Sequence, residues 1–216
     1  MVQDFVLDTT AFTEIRVRQK IGAKSLSEVI TRLVELFRET RMLLEVHYYM
    51  TPSMWNELRR FLLGNGVSLD LVNELGTWVT VKAPDKLNVR IPASVFSEYV
   101  SDMRKRIYKG LRVAEDAIAK VHRECGTKEC LGNVIRDLRD KYRNALRKGI
   151  IDSPEDLDAV ILALELRAAI VSSDAGIKHM SEQLGIMVID PEHFVDSLER
   201  MLRMARKYGT RKTGRP

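Results

Sequence analysis

The stretch 152–174, DSPEDLDAVILALELRAAIVSSD, constrains the fold more than any other. Ser153, Pro154 and an acid at 156 read as a helix start. The serine can accept from amides of the first turn, and proline is tolerated at the first helical position. Leu157, Val160, Ile161 and Leu164 follow at helical spacing. Residues 169–173 then read as an apolar strand that stops at Asp174. A buried helix feeding straight into such a strand belongs to a parallel α/β sheet covered on both faces.

The chain repeats this alternation elsewhere. Residues 2–8, VQDFVLD, read as a strand ending on Asp8, with Thr9 and Thr10 as a turn or helix cap. Ser25 and Glu28 form a capping box ahead of Leu26, Val29, Ile30, Leu33, Leu36 and Phe37. A second strand is expected over 43–49. Thr51 and Pro52 then open a helix with Trp55, Leu58, Phe61 and Leu62 on one face and Glu57 on its flank. A short helix follows over 69–75, whereas 78–82 and 87–91 read equally as extended pieces or loop. A last strand covers 186–189 and a closing helix 191–207. The expected fold class is α/β, a parallel sheet flanked by helices.

One segment departs from this pattern. Residues 92–123 and roughly 131–148 read as two long helices of mixed charge, too polar to be core throughout. They form a helical hairpin, 94–149, inserted between the domain halves 1–93 and 150–207. The basic tail 208–216 is expected to be disordered. Tyr108, Leu111, Val113, Ile118 and Val121 suit packing on a second subunit, on the hairpin's own partner helix, or on both.

The net charge of the 216-residue chain is +5, but it is unevenly spread. Residues 98–149 carry +6 and 203–216 another +6, leaving −7 for the remainder. An acidic core with basic appendages suits an enzyme that holds cations in one place and phosphates in another. Solvated helix faces would show the same numbers. No apolar run is long enough to span a membrane, and no signal peptide is evident. Two cysteines, Cys125 and Cys130, suggest free thiols in a cytoplasmic protein rather than a disulfide framework.

The aspartates carry the chemical reading. In an open α/β sheet, chemistry gathers at the carboxyl ends of strands. Asp8 and Asp174 each follow a strand, so parallel pairing puts both at one edge. Asp156 lies in the first turn of the helix entering that edge. Asp152 is four residues earlier, roughly 40° away if helical geometry extends back to it. Asp158 falls on the opposite flank. Clustered carboxylates repel unless cations compensate, and oxygen ligands of this kind suit Mg²⁺, with Mn²⁺ as a substitute. Each aspartate also has a plainer reading. Asp156 completes a capping box with Ser153, Asp8 and Asp174 cap the helices after their strands, and Asp152 is a solvated turn residue.

The segments FVLDTTAF, MTPSMWNEL, SPEDLDAVILALEL and AIVSSDAGI resemble those of PIN-type metallonucleases. Those enzymes have an Asp some eighteen residues before a final Ser/Thr-x-Asp, the separation of Asp156 from Asp174. With the inserted hairpin, the chain resembles the HARP family of small protein-only ribonuclease P enzymes over nearly its whole length. The resemblance implies a Mg²⁺-dependent endonuclease that removes the 5′ leader of precursor tRNA with metal-activated water. It also implies assembly into homo-oligomers through the hairpin. Catalytic and metal-binding roles would fall to Asp8, Asp152, Asp156 and Asp174, with Glu57 outside the ligand set. Arg136, Arg139 and Arg143 recur along one helix face that leads through Arg147 toward Asp152, which suits contact with RNA backbone. The alternatives are a toxin-like PIN nuclease acting on another RNA, and a non-catalytic RNA-binding partner of an RNA ligase.

Overall fold

The computed structural model describes residues 4–124, 128–147 and 149–208. Five strands form one parallel sheet in the order β3-β2-β1-β4-β5. They are β1 (Asp4–Leu7), β2 (His47–Met50), β3 (Val79–Val81), β4 (Ala169–Val171) and β5 (Val188–Ile189). Between β1 and β2 lie α1 (Thr10–Thr13), α2 (Ile15–Ile21) and α3 (Leu26–Leu44). Helices α4 (Pro52–Gly64) and α5 (Leu69–Trp78) lead to β3. Helices α6 (Ala93–Glu124) and α7 (Lys128–Arg147) follow, then α8 (Pro154–Leu166), α9 (Ala175–Gln183) and α10 (Pro191–Tyr208).

The central strands are covered on both faces. Phe5, Val6 and Leu7 of β1 and all three residues of β4 are buried, which is why both segments read as unbroken apolar runs. Phe5 pairs in register with Tyr48 of β2, and both rings join Phe37 and Phe194 in one aromatic cluster. The rings of Phe37 and Tyr48 stack with centroids 4.0 Å apart. Burial pushes the Tyr48 phenol well above its ordinary pKa, against the pull of its 2.7 Å hydrogen bond with Thr40 Oγ1.

Helix α8 packs on β1, β4 and α9 and is buried on more sides than the expected stripe. Ala159 through Ala163 are all buried, while Leu157 and Leu164 are only half-buried. The small side chains of Ala159 and Ala163 let the helix lie close to its neighbours.

Several boundaries differ from expectation, for local reasons. Leu43 and Leu44 belong to α3, and Glu45 turns the chain in a left-handed conformation (φ 55°), so β2 starts only at His47. Ser25 caps α3, but Glu28 reaches one residue further back, accepting from the Lys24 amide at 2.7 Å. In α4 the buried face is Met54, Leu58 and Leu62; Phe61 is exposed. Residues 79–81 form an edge strand, whereas Leu87 is 94% exposed within a turn closed by the Asp85 carboxylate.

The chain divides into two compact units, Met1–Val89 with Ser153–Pro216 and Arg90–Asp152. In the second, α6 and α7 pack along each other. A Cβ at Gly110 would come within 3.0 Å of the Tyr142 ring, so glycine there permits close helix approach. Val113 and Val121 are half-buried, whereas Tyr108, Leu111 and Ile118 are exposed, as are Phe96, Val100 and Ile107. Cys130 is disulfide-bonded rather than a free thiol, which corrects the sequence reading and removes its support for a reducing compartment. Cys125 and the tail beyond Tyr208 lie outside the described residues.

An ionic clamp gathers α2, α9 and the start of α10. Asp190 accepts from the Glu192 amide at 3.2 Å and from Lys178 Nζ at 3.1 Å, with Arg16 at 3.6 Å. Burial pushes the Asp190 carboxyl up. The Lys178 ammonium, the Glu192 amide and Arg16 outweigh it and hold the group below the usual carboxylate range. A depressed carboxyl contributes stability above its unfolded pKa and loses it as pH falls through the folded value. Asp190→Asn keeps an oxygen for the Glu192 amide but loses the charge. The stability gap to wild type should therefore be full at pH 7 and shrink below about pH 4. Urea melts at pH 7 and in acid check this; a pH-independent gap would show that the charge contributes nothing.

Candidate active site

The strand order reverses between β1 and β4. From β1 the chain adds β2 and β3 on one side, then crosses back to add β4 and β5 on the other. A crevice outside the carboxyl ends of the strands is expected at such a point. Asp8 follows β1 there, and its amide donates to the carbonyl of Val171 at the end of β4 (3.0 Å). The loop Ser172–Ser173–Asp174 leaves β4 at the same edge.

The Asp8 carboxylate is buried, with 5% of the residue exposed. Its Oδ2 accepts from Thr10 Oγ1 at 2.7 Å and from Ser172 Oγ at 2.8 Å. Its Oδ1 accepts from the Thr9 amide at 2.6 Å and from Thr9 Oγ1 at 3.2 Å. Every one of these donors is neutral. Among the described residues no Lys, Arg or His pairs with Asp8, although other acids of this unit have such partners. Asp158 pairs with Lys86 at 2.6 Å, Glu165 with Lys82 at 2.6 Å and Asp196 with Lys20 at 2.7 Å. Burying a carboxylate without a counter-charge is costly, and a cation bound beside it would offset that cost. Carboxylate and hydroxyl oxygens are the donor chemistry of a hard divalent ion, so the residues present fit such a group.

Asp174 is exposed and caps α9. Its Oδ1 accepts from the amides of Gly176 at 2.7 Å and Ile177 at 2.9 Å. The helix-cap reading is therefore true of one of its oxygens, while Oδ2 has no partner among the described residues. Asp156 is half-buried in the first turn of α8, and its amide donates to Ser153 Oγ at 3.1 Å, as a capping motif requires. Because α8 joins β4 through a short turn at its far end and packs back along it, this first turn lies at the carboxyl edge of the sheet.

Asp152 is placed differently from expectation. Ser153 is extended (φ −126°, ψ 146°) and α8 starts at Pro154, so helical phase does not reach back to Asp152. It belongs to the hairpin unit, where its carboxylate accepts from the Arg147 guanidinium. Among the described residues no three His, Cys, Asp or Glu side chains are close enough to form a metal cluster. Glu57 is exposed on α4. On α7, Arg136, Arg139 and Arg143 are exposed, and among the described residues none forms an ion pair. Asp137 pairs instead with Lys141 at 2.9 Å.

The sequence reading placed Ser172 in the Ser/Thr-x-Asp motif but missed that it, Thr9 and Thr10 surround the Asp8 carboxylate. The signal was present in DTT at 8–10 and SSD at 172–174, where each strand-end aspartate is flanked by hydroxyls. Thr9 and Thr10 had a ready explanation as turn residues, and Ser172 read as part of a strand.

Comparison with known proteins shows the family. A family model described as a PINc domain ribonuclease matches residues 4–203. A protein of Hyperthermus butylicus named RNA-free ribonuclease P is 41% identical, covering 97% of this chain and 92% of its own. Proteins of the same name from Ignicoccus hospitalis and Aeropyrum pernix are 40% and 44% identical. They cover 95% and 92% of this chain, and 98% and 90% of their own. Strand-end aspartates at a switch point and likeness along almost the whole chain agree: the protein belongs to the PIN-domain ribonucleases and, within them, to the RNA-free ribonuclease P family.

Proposed function

We propose that this chain is itself a ribonuclease P, removing the 5′ leader from precursor tRNA with Mg²⁺ and without an RNA subunit. The observation that carries the reading is the buried Asp8 carboxylate at the switch point, held by neutral donors and, among the described residues, without a cationic partner. Asp156 and Asp174 are its proposed partners as metal ligands, and Asp152 is the fourth aspartate assigned to catalysis. A bound divalent ion supplies an activated water and neutralises charge on the phosphodiester. Asp8 is fixed by its hydroxyl and amide donors, and Asp174 by the α9 amides, so neither carboxylate must be ordered when substrate arrives. Hydrolysis breaks the bond between phosphorus and the leader's 3′ oxygen. It leaves a 5′-phosphate on the mature tRNA and a 3′-hydroxyl on the leader.

The hairpin unit has two proposed roles. The guanidinium groups of Arg136, Arg139 and Arg143, with Arg147 beyond them, grip RNA backbone. The exposed apolar residues of α6, which recur at helical spacing from Phe96 through Ile107 to Ile118, associate with other copies of the chain. No helix among the described residues is long and apolar enough to cross a membrane. A cytoplasmic site of action goes with this reading.

Three experiments test these roles. Precursor tRNA incubated with protein and Mg²⁺ should yield fragments whose ends map to the mature 5′ terminus. Asp8→Asn and Asp174→Asn should slow that cleavage on the order of 10²-fold or more, the scale of several kcal/mol of lost charge stabilisation. Cleavage only at other positions would instead indicate a nuclease for a different RNA, and no cleavage at all an RNA-binding partner protein. Replacing Arg136, Arg139 and Arg143 by alanine one after another should flatten the salt dependence of tRNA affinity, by about one unit of slope for each phosphate no longer gripped. An unchanged slope would remove α7 from the RNA interface. Finally, Ile107→Glu combined with Ile118→Glu should lower the mass measured by light scattering, and a wild-type-sized particle would place assembly on another surface.

A further inference from the structure

Asp174 stands where the loop leaving β4 becomes the first turn of α9, and that junction is tied on both sides to the end of β5. On the incoming side, the Ser172 amide donates to the carbonyl of Ile189, the last residue of β5, at 3.2 Å. On the outgoing side, the Lys178 amide closes the first turn on the Asp174 carbonyl at 3.0 Å. The Lys178 ammonium then donates to Asp190 Oδ2 at 3.1 Å. The two ties land on consecutive residues, Ile189 and Asp190. Asp190 is itself fixed, because its Oδ1 accepts from the Glu192 amide at 3.2 Å and Arg16 lies 3.6 Å from its Oδ2. The Asp174 carboxylate moves with this turn, since its Oδ1 accepts from the amides of Gly176 and Ile177 at 2.7 and 2.9 Å. Helix α9 has nine residues, too few for its own backbone bonds to hold it in place. Its buried residues are Gly176, Ile177, Met180 and Ser181, and Lys178 leaves the helix on a less buried side.

From this geometry we infer that Lys178 and Asp190 are positioning residues for Asp174, their ion pair acting as a strut that sets the α9 N-terminus against the end of β5. Neither residue touches the ion or the scissile phosphate; both act through the first turn of α9. The inference rests on the metal-site reading above and extends it to a third aspartate that directly follows a strand. A pair this exposed, with side chains 32% and 22% accessible, contributes little to overall stability. Its effect is on orientation. Charge acting on the ion from a distance makes the opposite prediction for one end of the pair. A cation repels a divalent ion and a carboxylate attracts it, so by charge alone losing Lys178 tightens binding and losing Asp190 weakens it. A strut weakens binding when either end is lost, and losing the second end adds little.

Lys178→Met offers the cleaner test. It keeps the apolar stem, and Asp190 retains Arg16 and the Glu192 amide, so the protein should melt close to wild type. Mn²⁺ binding to the full-length protein, measured by calorimetry without RNA, should weaken about tenfold in this variant, the low end for outer groups that orient ligands. The Mg²⁺ concentration for half-maximal cleavage should rise by a similar factor. Lys178→Arg keeps the charge and should bind Mn²⁺ like wild type. Asp190→Asn should also weaken binding, and the double variant should be within about twofold of the weaker single one. Unchanged or tighter Mn²⁺ binding in Lys178→Met would overturn the inference. So would losses that multiply in the double variant, or a Lys178→Arg protein as weak as Lys178→Met. Asp174→Asn, whose amide oxygen still caps α9, distinguishes the two levels in the same titration. If it binds Mn²⁺ undiminished, the metal-site reading fails at this residue and the strut with it. If Asp174→Asn loses binding while Lys178→Met keeps it, only the strut fails.

Discussion

The arrangement depends on the parallel pairing of β1 with β4. Phe5, Val6 and Leu7 pair in register with Ala169, Ile170 and Val171, and the Asp8 amide continues the ladder one bond further to Val171. Those two strands are more than 160 residues apart in sequence, and no local preference could bring their ends together. Burial of both strands does so, because each is apolar on both faces and must be covered by helices on either side. Once the register is fixed, Ser172 sits against the Asp8 carboxylate, and a one-residue slip would turn it to the other face of the sheet. Sheet register and site geometry are therefore the same constraint.

The helices around the site complete what the sheet begins. Asp174 caps α9, and Lys178 on that helix reaches Asp190 at the start of α10. Arg16 of α2 reaches the same carboxylate. The carboxyl edge is thus bordered by helices that are held to one another by charge at Asp190 and by apolar packing beneath. A rigid border of this kind suits a site whose ligands must be in place before substrate binds.

Much of this was legible in the sequence wherever local rules and tertiary demand coincide. Apolar runs ending in Asp, the Thr51-Pro52 and Ser153-Pro154 helix starts and the long charged helices depend on short-range chemistry that folding does not overturn. What could not be read depends on partners distant in sequence or on a single backbone turn. Glu45 in the left-handed region ends α3 and delays β2, and no turn residue marks that position. Helical phase places Asp152 beside Asp156 only if the helix begins before Ser153, and Ser153 is extended. The Cys130 disulfide contradicts an inference drawn from cysteine number alone. The hydrogen bond from Ser172 to Asp8 became visible only once β1 and β4 were side by side.

The charge pattern around the site is more informative than the presence of acids. Helix α8 alone carries Asp158 and Glu165, each paired with a lysine. Such pairs neutralise a carboxylate permanently, and a residue so engaged makes a poor ligand for an exchangeable ion. Asp8 is more buried than either, and desolvation alone would give it the greater need of a lysine or arginine. Among the described residues its partners are three hydroxyls and one amide instead, which fix its orientation without supplying a positive charge. A merely structural role at this position would be served better by an ion pair or by an apolar residue of similar size. Retaining a buried, oriented and uncompensated carboxylate at the strand switch point makes physical sense when the compensating charge comes from outside the chain, as a divalent ion with a phosphodiester to act on.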